Sequence, residues 1–182
     1  MRHITKYIAI IMVGTFLLPS CGYNKIVEYE EAANSQWGKV ESAYQRRTDL
    51  VPNLLRQAQG LSGLDQKAYN ELQKAYKEMS SYQMVSEDLS KSEIKKYMSA
   101  QEEVESAIGT FMAALRLNPE TADIYRDFQT QIEGAENRIN FERMKYNEEV
   151  STYNGYIRKA PQSFTSGCMG FDERPYFKAE TE

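Results

Sequence analysis

One long amphipathic pattern constrains the fold of this chain more than any other feature. Between residues 26 and 58, apolar side chains recur at steps of three, four or seven residues, which places them on one face of an α-helix. They are Ile26, Ala33, Trp37, Val40, Tyr44, Val51, Leu54 and Ala58. Patterns of the same period follow along the chain, and almost no alternating pattern typical of strands competes with them. The sequence therefore predicts an all-α fold.

Helix start and stop signals divide the chain into four predicted helices. Glycine ends the first pattern, and small polar residues that can bond free backbone N–H groups precede the others. The signals are the turn Gly60-Leu61-Ser62-Gly63 with Ser62 followed by Asp65 as N-cap, the capping box Ser90-Lys91-Ser92-Glu93, and Asn118-Pro119 before a helix that extends to about Lys159. Such helices with short turns favour an antiparallel up-down four-helix bundle with long first and last helices. The alternative is a long antiparallel coiled coil of the first and last helices, with the other two as an appended hairpin.

A proline, a glycine and the C-terminal tail give three further predictions about this bundle. Pro52 removes one backbone hydrogen bond, so we expect a kink near Thr48 or a clean break there, with Thr48 capping the new helix. Gly134 costs a helix about 1 kcal/mol relative to alanine, which suggests a close helix crossing. From Pro161 the helical pattern dissolves into an irregular tail. Its aromatic residues are expected to pack back on the bundle; they are Phe171, Tyr176 and Phe177.

The N-terminus has the pattern of an export signal. Arg2 and Lys6 precede an apolar run over residues 7–18, which is shorter than the ~20 residues needed to span a bilayer. The run ends in Leu18-Pro19-Ser20-Cys21, which resembles the lipobox of bacterial lipoproteins. We therefore expect a signal peptide over 1–20, acylation of Cys21 (palmitate among the chains), a helical domain over 21–160 and a tail over 161–182. The alternative is an uncleaved signal anchor in which Cys21 is incidental.

Composition narrows the range of functions. His3 is the only histidine and lies in the predicted signal peptide, so the mature chain lacks imidazole for catalytic triads and for most zinc sites. Acylated Cys21 would leave Cys168 without an internal disulfide partner. Removing residues 1–20, with two basic and no acidic side chains, leaves 20 basic against 26 acidic residues, which argues against nucleic-acid binding. We predict no catalytic residue, no metal site and no cofactor.

A few charged residues interrupt the apolar faces. Arg47, Glu136 and Arg143 fall at inward positions, where a charge is costly unless it is paired. We expect Arg47 to face Glu136 across the bundle, as part of a network that either fixes helix register or forms a polar ligand site. The network comprises Arg47, Asp49, Asn53, Glu136, Asn137, Arg143 and Asn147.

Several blocks together resemble the LemA family over essentially the whole mature chain. They are Tyr23-Asn24, Trp37, Arg46 to Leu54, Gln131 to Ile139 with Arg143, Tyr146-Asn147, Tyr153-Asn154 and Pro161, and the end Gly170-Phe171 with Arg174 to Phe177. The resemblance implies a helical domain outside the cytoplasmic membrane, with no established enzymatic activity and no agreed catalytic residues. The chain departs from the family in having a lipobox in place of an uncleaved transmembrane helix. It also has Leu64-Asp65 for His-Glu, and Leu117-Asn118-Pro119-Glu120 for Tyr-Pro-Asp-Leu.

These observations favour a non-catalytic, lipid-anchored scaffold or adaptor for another protein of the bacterial cell envelope, on the periplasmic face or the outer membrane. The oligomeric state stays open. The alternative is small-molecule or peptide binding in a polar cavity of the bundle core. Catalysis by carboxylates such as Asp127, Glu133 or Glu142 ranks third, because carboxylates on helix faces mostly serve solvation.

Overall fold

The computed structural model describes residues 19–82 and 91–177, with side chains from Gly22 onward. Residues 1–18 of the expected signal peptide, the Cys21 side chain and the Ser90 cap lie outside the described residues. The described chain contains no strand, which confirms the all-α prediction. Its helices are α1 (Pro19–Thr48), α2 (Val51–Ala58), α3 (Gln66–Ser81), α4 (Lys91–Leu117), a 3-10 turn (Pro119–Thr121), α5 (Ala122–Ile157) and α6 (Gln162–Met169).

The described residues divide into two compact units. We call residues 37–145 the central unit, and residues 19–36 together with 146–177 the terminal unit. Helices α1 and α5 contribute residues to both, because their apolar faces continue along their whole length. All eight residues of the first apolar pattern are buried, as the period predicted.

In the central unit the chain breaks between α1 and α2 instead of kinking. Thr48 does not cap α2: its hydroxyl donates to the Tyr44 carbonyl at 3.1 Å, one turn back in α1. Leu50 occupies the N-cap of α2 without a side-chain hydrogen bond, and Pro52 lies in the first turn, where its missing N–H costs nothing. Val51 and Leu54 remain buried, so the apolar face continues past the break.

Polar caps shape the turns around α3 and α5. Asp65, rather than Ser62, caps α3 and accepts from the Lys67 and Ala68 amides at 2.9 and 3.1 Å. Asn118 caps the 3-10 turn, and its Nδ2 donates to the Ser62 carbonyl at 2.9 Å, tying the two turns together. Gly63 is required beside this bond because its φ is +70° and a Cβ there would lie 3.0 Å from Asn118 Nδ2.

Two expectations about glycine and the tail are wrong. Gly134 is exposed, with nothing within 4 Å of a Cβ built on it, because the adjacent Ala135 provides the buried position. The tail is not wholly irregular: residues 162–169 form α6 in the terminal unit. Gly170 ends this helix at φ +76°, and the Phe171 N–H bonds back to the Ser166 carbonyl at 3.0 Å. A helix of two turns is too short to show an apolar period.

The core of the terminal unit is aromatic and aliphatic. Ile26 of α1 packs with Tyr153 and Ile157 of α5, and Phe171 lies against this cluster. Phe177 is buried with its ring centroid 5.4 Å from that of Tyr146, whereas Tyr176 is exposed. The segment after α6, residues 171–177, therefore packs along α5; we call it the strap.

Candidate functional site

Arg47, in the last turn of α1, is a buried charge of the central unit with 1% of its surface exposed. Its Nη1 donates to Glu105 Oε2 at 2.8 Å, and its Nη2 donates to the Gln101 carbonyl at 2.9 Å and to Gln101 Oε1 at 3.3 Å. Its Nε has no hydrogen-bond partner among the described residues. The guanidinium therefore joins the end of α1 to the middle of α4.

Aromatic rings surround this contact. Gln101 Nε2 donates to the Tyr97 hydroxyl at 3.1 Å, and the Tyr97 ring packs edge-on against Trp37 and Tyr44. Burial raises the pKa of the Tyr97 hydroxyl, and the nearby Glu41 carboxylate raises it further. Burial also raises the pKa of Tyr44, against the influence of Arg143 and Arg47. Both phenols therefore stay neutral at neutral pH, and the Tyr97 hydroxyl accepts a hydrogen bond from Gln101.

The expected pairing of Arg47 with Glu136 is wrong. Arg47 reaches α4 instead, because Gln101 and Glu105, one turn apart, present three acceptor atoms to it. Glu136 is half-buried and has other interactions. The helical period alone could not choose the partner helix.

On α5 the buried charge is Glu142, with 2% of its side chain exposed, and not Arg143, which is half-buried. Arg138, one turn earlier, lies 2.6 Å from the Glu142 carboxylate through Nη2. Both positions 142 and 143 fit between Ile139 and Tyr146 in a helical period, so the sequence left this choice open.

The structure does not bring the predicted network together. Asp49 is exposed and accepts from Gln45 Nε2 at 2.7 Å; Asn53 is half-buried and accepts from Gln57 Nε2 at 3.4 Å. Asn137 is exposed, and Arg143 has interactions of its own. An open depression of about 430 Å³ is lined by Asp49, in the turn after α1, and by four polar side chains of α1, namely Glu41, Ser42, Gln45 and Arg46. Partial burial raises the pKa of the Glu41 carboxyl there.

In the terminal unit, two asparagines hold the strap by its backbone. Asn154 Oδ1 accepts from the Arg174 N–H at 2.9 Å, and its Nδ2 donates to the Arg174 carbonyl at 2.9 Å. Asn147 repeats the arrangement with the Phe177 N–H and carbonyl, at 2.9 and 3.0 Å. Each amide thus pairs with both backbone groups of one residue, as a neighbouring β-strand would.

The spacing of the two asparagines fits a fully extended chain. Seven helical residues separate Asn147 from Asn154, which is about 10.5 Å along the axis. Phe177 lies three positions after Arg174 in the strap, and an extended chain covers about 10 Å over three positions. The strap therefore runs antiparallel to α5 with its backbone groups in register with the asparagines.

Side chains fix which strap residue occupies each position. Arg174 Nη2 lies 3.0 Å from Glu30 Oε1, and both side chains are largely buried. The Tyr153 hydroxyl donates to the Asp172 carbonyl at 3.1 Å. Burial raises the pKa of Tyr146 and of Tyr153 to about 12, while the Arg174 guanidinium lowers both. Asn154 belongs to the Tyr153-Asn154 block of the family resemblance and is not among the predicted network residues, although it lies one helical heptad after Asn147.

The geometry of both units offers hydrogen-bonding sites. No group of His, Cys, Asp or Glu side chains in residues 22–82 and 91–177 could hold a metal ion. Within the part of the chain that the structure describes, no helix is long and apolar enough to cross a membrane.

A comparison with models of known families shows to which family the chain belongs. The model of the LemA family matches residues 36–182. The chain belongs to the LemA family. A comparison with curated proteins found no match. The LemA match includes Arg47, both asparagines and the strap, whereas Tyr23 and Asn24 lie before it. The two short blocks within this match that were expected to depart from the LemA pattern contain caps: Asp65 caps α3, and Asn118 caps the 3-10 turn.

Proposed function

We propose that this LemA protein is a lipid-anchored, non-catalytic scaffold or adaptor of the cell envelope, attached through acylated Cys21. The antiparallel up-down order of its predicted helices is part of the proposal. The observation that supports the non-catalytic role is that the buried polar groups bond to other parts of the same chain. The Arg47 Nη groups donate to α4, and the Asn147 and Asn154 amides donate to the strap. Groups bonded in this way hold segments of the protein together and do not line an open catalytic cleft.

The anchor is tested by labelling cells with radioactive palmitate. The wild-type chain should incorporate label, and Cys21→Ala should lose it. Cys168→Ala, which removes the other cysteine, is the matched control and should keep the label. Label retained in Cys21→Ala would rule out the anchor.

The adaptor role is tested by crosslinking on intact cells followed by mass spectrometry. We expect a reproducible crosslinked partner from the envelope that is absent when the strap is disrupted by Asn154→Ala. Recovery of the monomer alone across several crosslinker lengths would contradict an adaptor.

A second function, peptide binding, is favoured by the strap. The Asn147 and Asn154 amides bond to the strap backbone, so an extended segment of another chain with side chains like those of Arg174 and Phe177 could take its place. A labelled peptide of residues 171–177 added to the full chain should show saturable anisotropy that a peptide with Arg174→Glu and Phe177→Ala does not. Equal signals from both peptides would exclude specific exchange.

A further inference from the structure

Charged residues are missing from one segment of the terminal unit, which contains α6. Residues 160–171 contain no charged side chain, although 26% of the whole sequence is charged. The comparable uncharged run at residues 106–115 lies in α4, where Ile108, Phe111 and Leu115 are buried. Burial does not explain the absence of charge at residues 160–171, because most of these residues are exposed.

Large apolar side chains point outward from this run. Phe164 is 78% exposed and Met169 is 59% exposed, and Cys168 between them is also exposed. Single exposed apolar residues are ordinary, but an exposed helix that combines them with a complete lack of charge is not. Such a surface suits a solvent less polar than water.

Both ends of this run contact the start of α1. A Cβ built on Gly22 would lie 3.8 Å from Gln162 Cγ, at the beginning of α6. The Tyr23 and Phe171 ring centroids are 5.7 Å apart, just past the end of α6. Gly22 directly follows Cys21, and the apolar run 7–18 precedes it in the sequence. The uncharged surface therefore lies beside the residues through which the chain would be attached.

We infer that α6 is a membrane-contacting surface, which places Phe164 and Met169 in the interfacial region of the bilayer that holds the anchor. This inference rests on the proposed lipid anchor. Aromatic and apolar side chains partition into that region, and tethering through Cys21 makes even weak partitioning effective because the local lipid concentration is high.

Cys168 provides the probe for a direct test. The acylated full chain is reconstituted in vesicles of phosphatidylethanolamine and phosphatidylglycerol, and the rate of reaction with a membrane-impermeant maleimide is measured. Each rate is divided by the rate for the same protein in urea. The reference is Ser35→Cys with Cys168→Ser, since Ser35 is exposed on α1, about 20 Å along the helix from Cys21.

We expect Cys168 to react about tenfold more slowly than the Ser35→Cys reference, because lipid shields it from the reagent. Replacing the exposed apolar pair, Phe164→Ser with Met169→Ser, should remove the protection without unfolding the chain. Equal rates in an acylated chain that sediments with the vesicles would overturn the surface and leave the anchor intact. Protection that survives the double replacement would also overturn it. A chain that carries no acyl group and does not sediment would overturn both proposals.

Discussion

The side-chain amide of Asn154 forms two hydrogen bonds with the backbone of Arg174, 20 positions later in the chain. It accepts from the Arg174 N–H and donates to the Arg174 carbonyl, each at 2.9 Å. Asn154 is fully buried and its two bonds to the Arg174 backbone are partly buried, so water would replace the amide only in part if it were removed. This pair, with its counterpart at Asn147, is what holds the strap on α5.

Asn154→Ala should therefore lower the free energy of unfolding by about 1–3 kcal/mol, because two partly buried backbone groups of Arg174 lose their partners. Urea denaturation measures the loss, and amide exchange at Arg174 and Phe177 should accelerate. Asn140→Ala, at an exposed position of the same helix, is the control and should leave both readouts unchanged. Protection of Arg174 that survives in Asn154→Ala would contradict the role given to the amide.

Arg47→Ala should cost about 3 kcal/mol, because it removes one partner of a buried polar contact and leaves Gln101 unsatisfied. Glu105 is half-exposed and can return to water, which keeps the loss at the lower end of the range. Arg47→Met with Gln101→Met, which replaces both polar partners by apolar ones, should recover part of the stability. Arg46→Ala, the exposed neighbour, should change the urea midpoint little. A similar loss from both alanine variants would show that burial of Arg47 is not the cause.

Gly134→Ala should raise the free energy of unfolding by up to about 1 kcal/mol, since the glycine is helical, exposed and has open space at its Cβ. Gly63→Ala should do the opposite, because its φ is +70° and its Cβ would press on Asn118. Thermal denaturation of the two variants gives the comparison. A destabilised Gly134→Ala would contradict the open space found at this Cβ among the described residues.

Alkaline pH should unfold the terminal unit in a tyrosine-dependent way. Burial raises the pKa of Tyr146 from 10.0 to about 12, so between these values the unfolded chain loses the proton and the folded chain keeps it. The contribution is complete below pH 10 and is lost as the pH rises toward 12, at about 1.4 kcal/mol per pH unit for one such group. Tyr146→Phe should flatten this decline in circular dichroism melts, whereas Tyr23→Phe, at an exposed ring, should not. An unchanged decline in Tyr146→Phe would place the sensitivity elsewhere.

The helical period was sufficient to predict much of the core, because burial on one face of a helix leaves its mark on every turn. Ile26 through Ala58, and Phe128 through Ile157 on α5, are buried where the period places them. The same period says nothing about which helix lies opposite, so Arg47 was assigned to Glu136 when its partners are on α4. The period also cannot distinguish two adjacent residues that both fit the inward face. It therefore predicts Arg143 as the inward charge, although Glu142 is the buried one.

Features shorter than the period were harder to predict. Helix α6 has too few turns to show a pattern, and the strap has none. The pairing of Asn147 with Phe177 depends on the backbone of the strap, which carries no sequence signal. What the sequence did offer was two asparagines one heptad apart on the apolar face of a helix, a combination that indicates a polar backbone packed there.

The match between seven helical residues and three extended ones makes this region sensitive to length more than to identity. Inserting one residue between Asn147 and Asn154 would rotate one amide about 100° around the helix axis and remove it from the strap. Adding or deleting a residue between Arg174 and Phe177 would shift one peptide group by about 3.3 Å, past the reach of a hydrogen bond. We therefore expect relatives that keep the strap to conserve both intervals together.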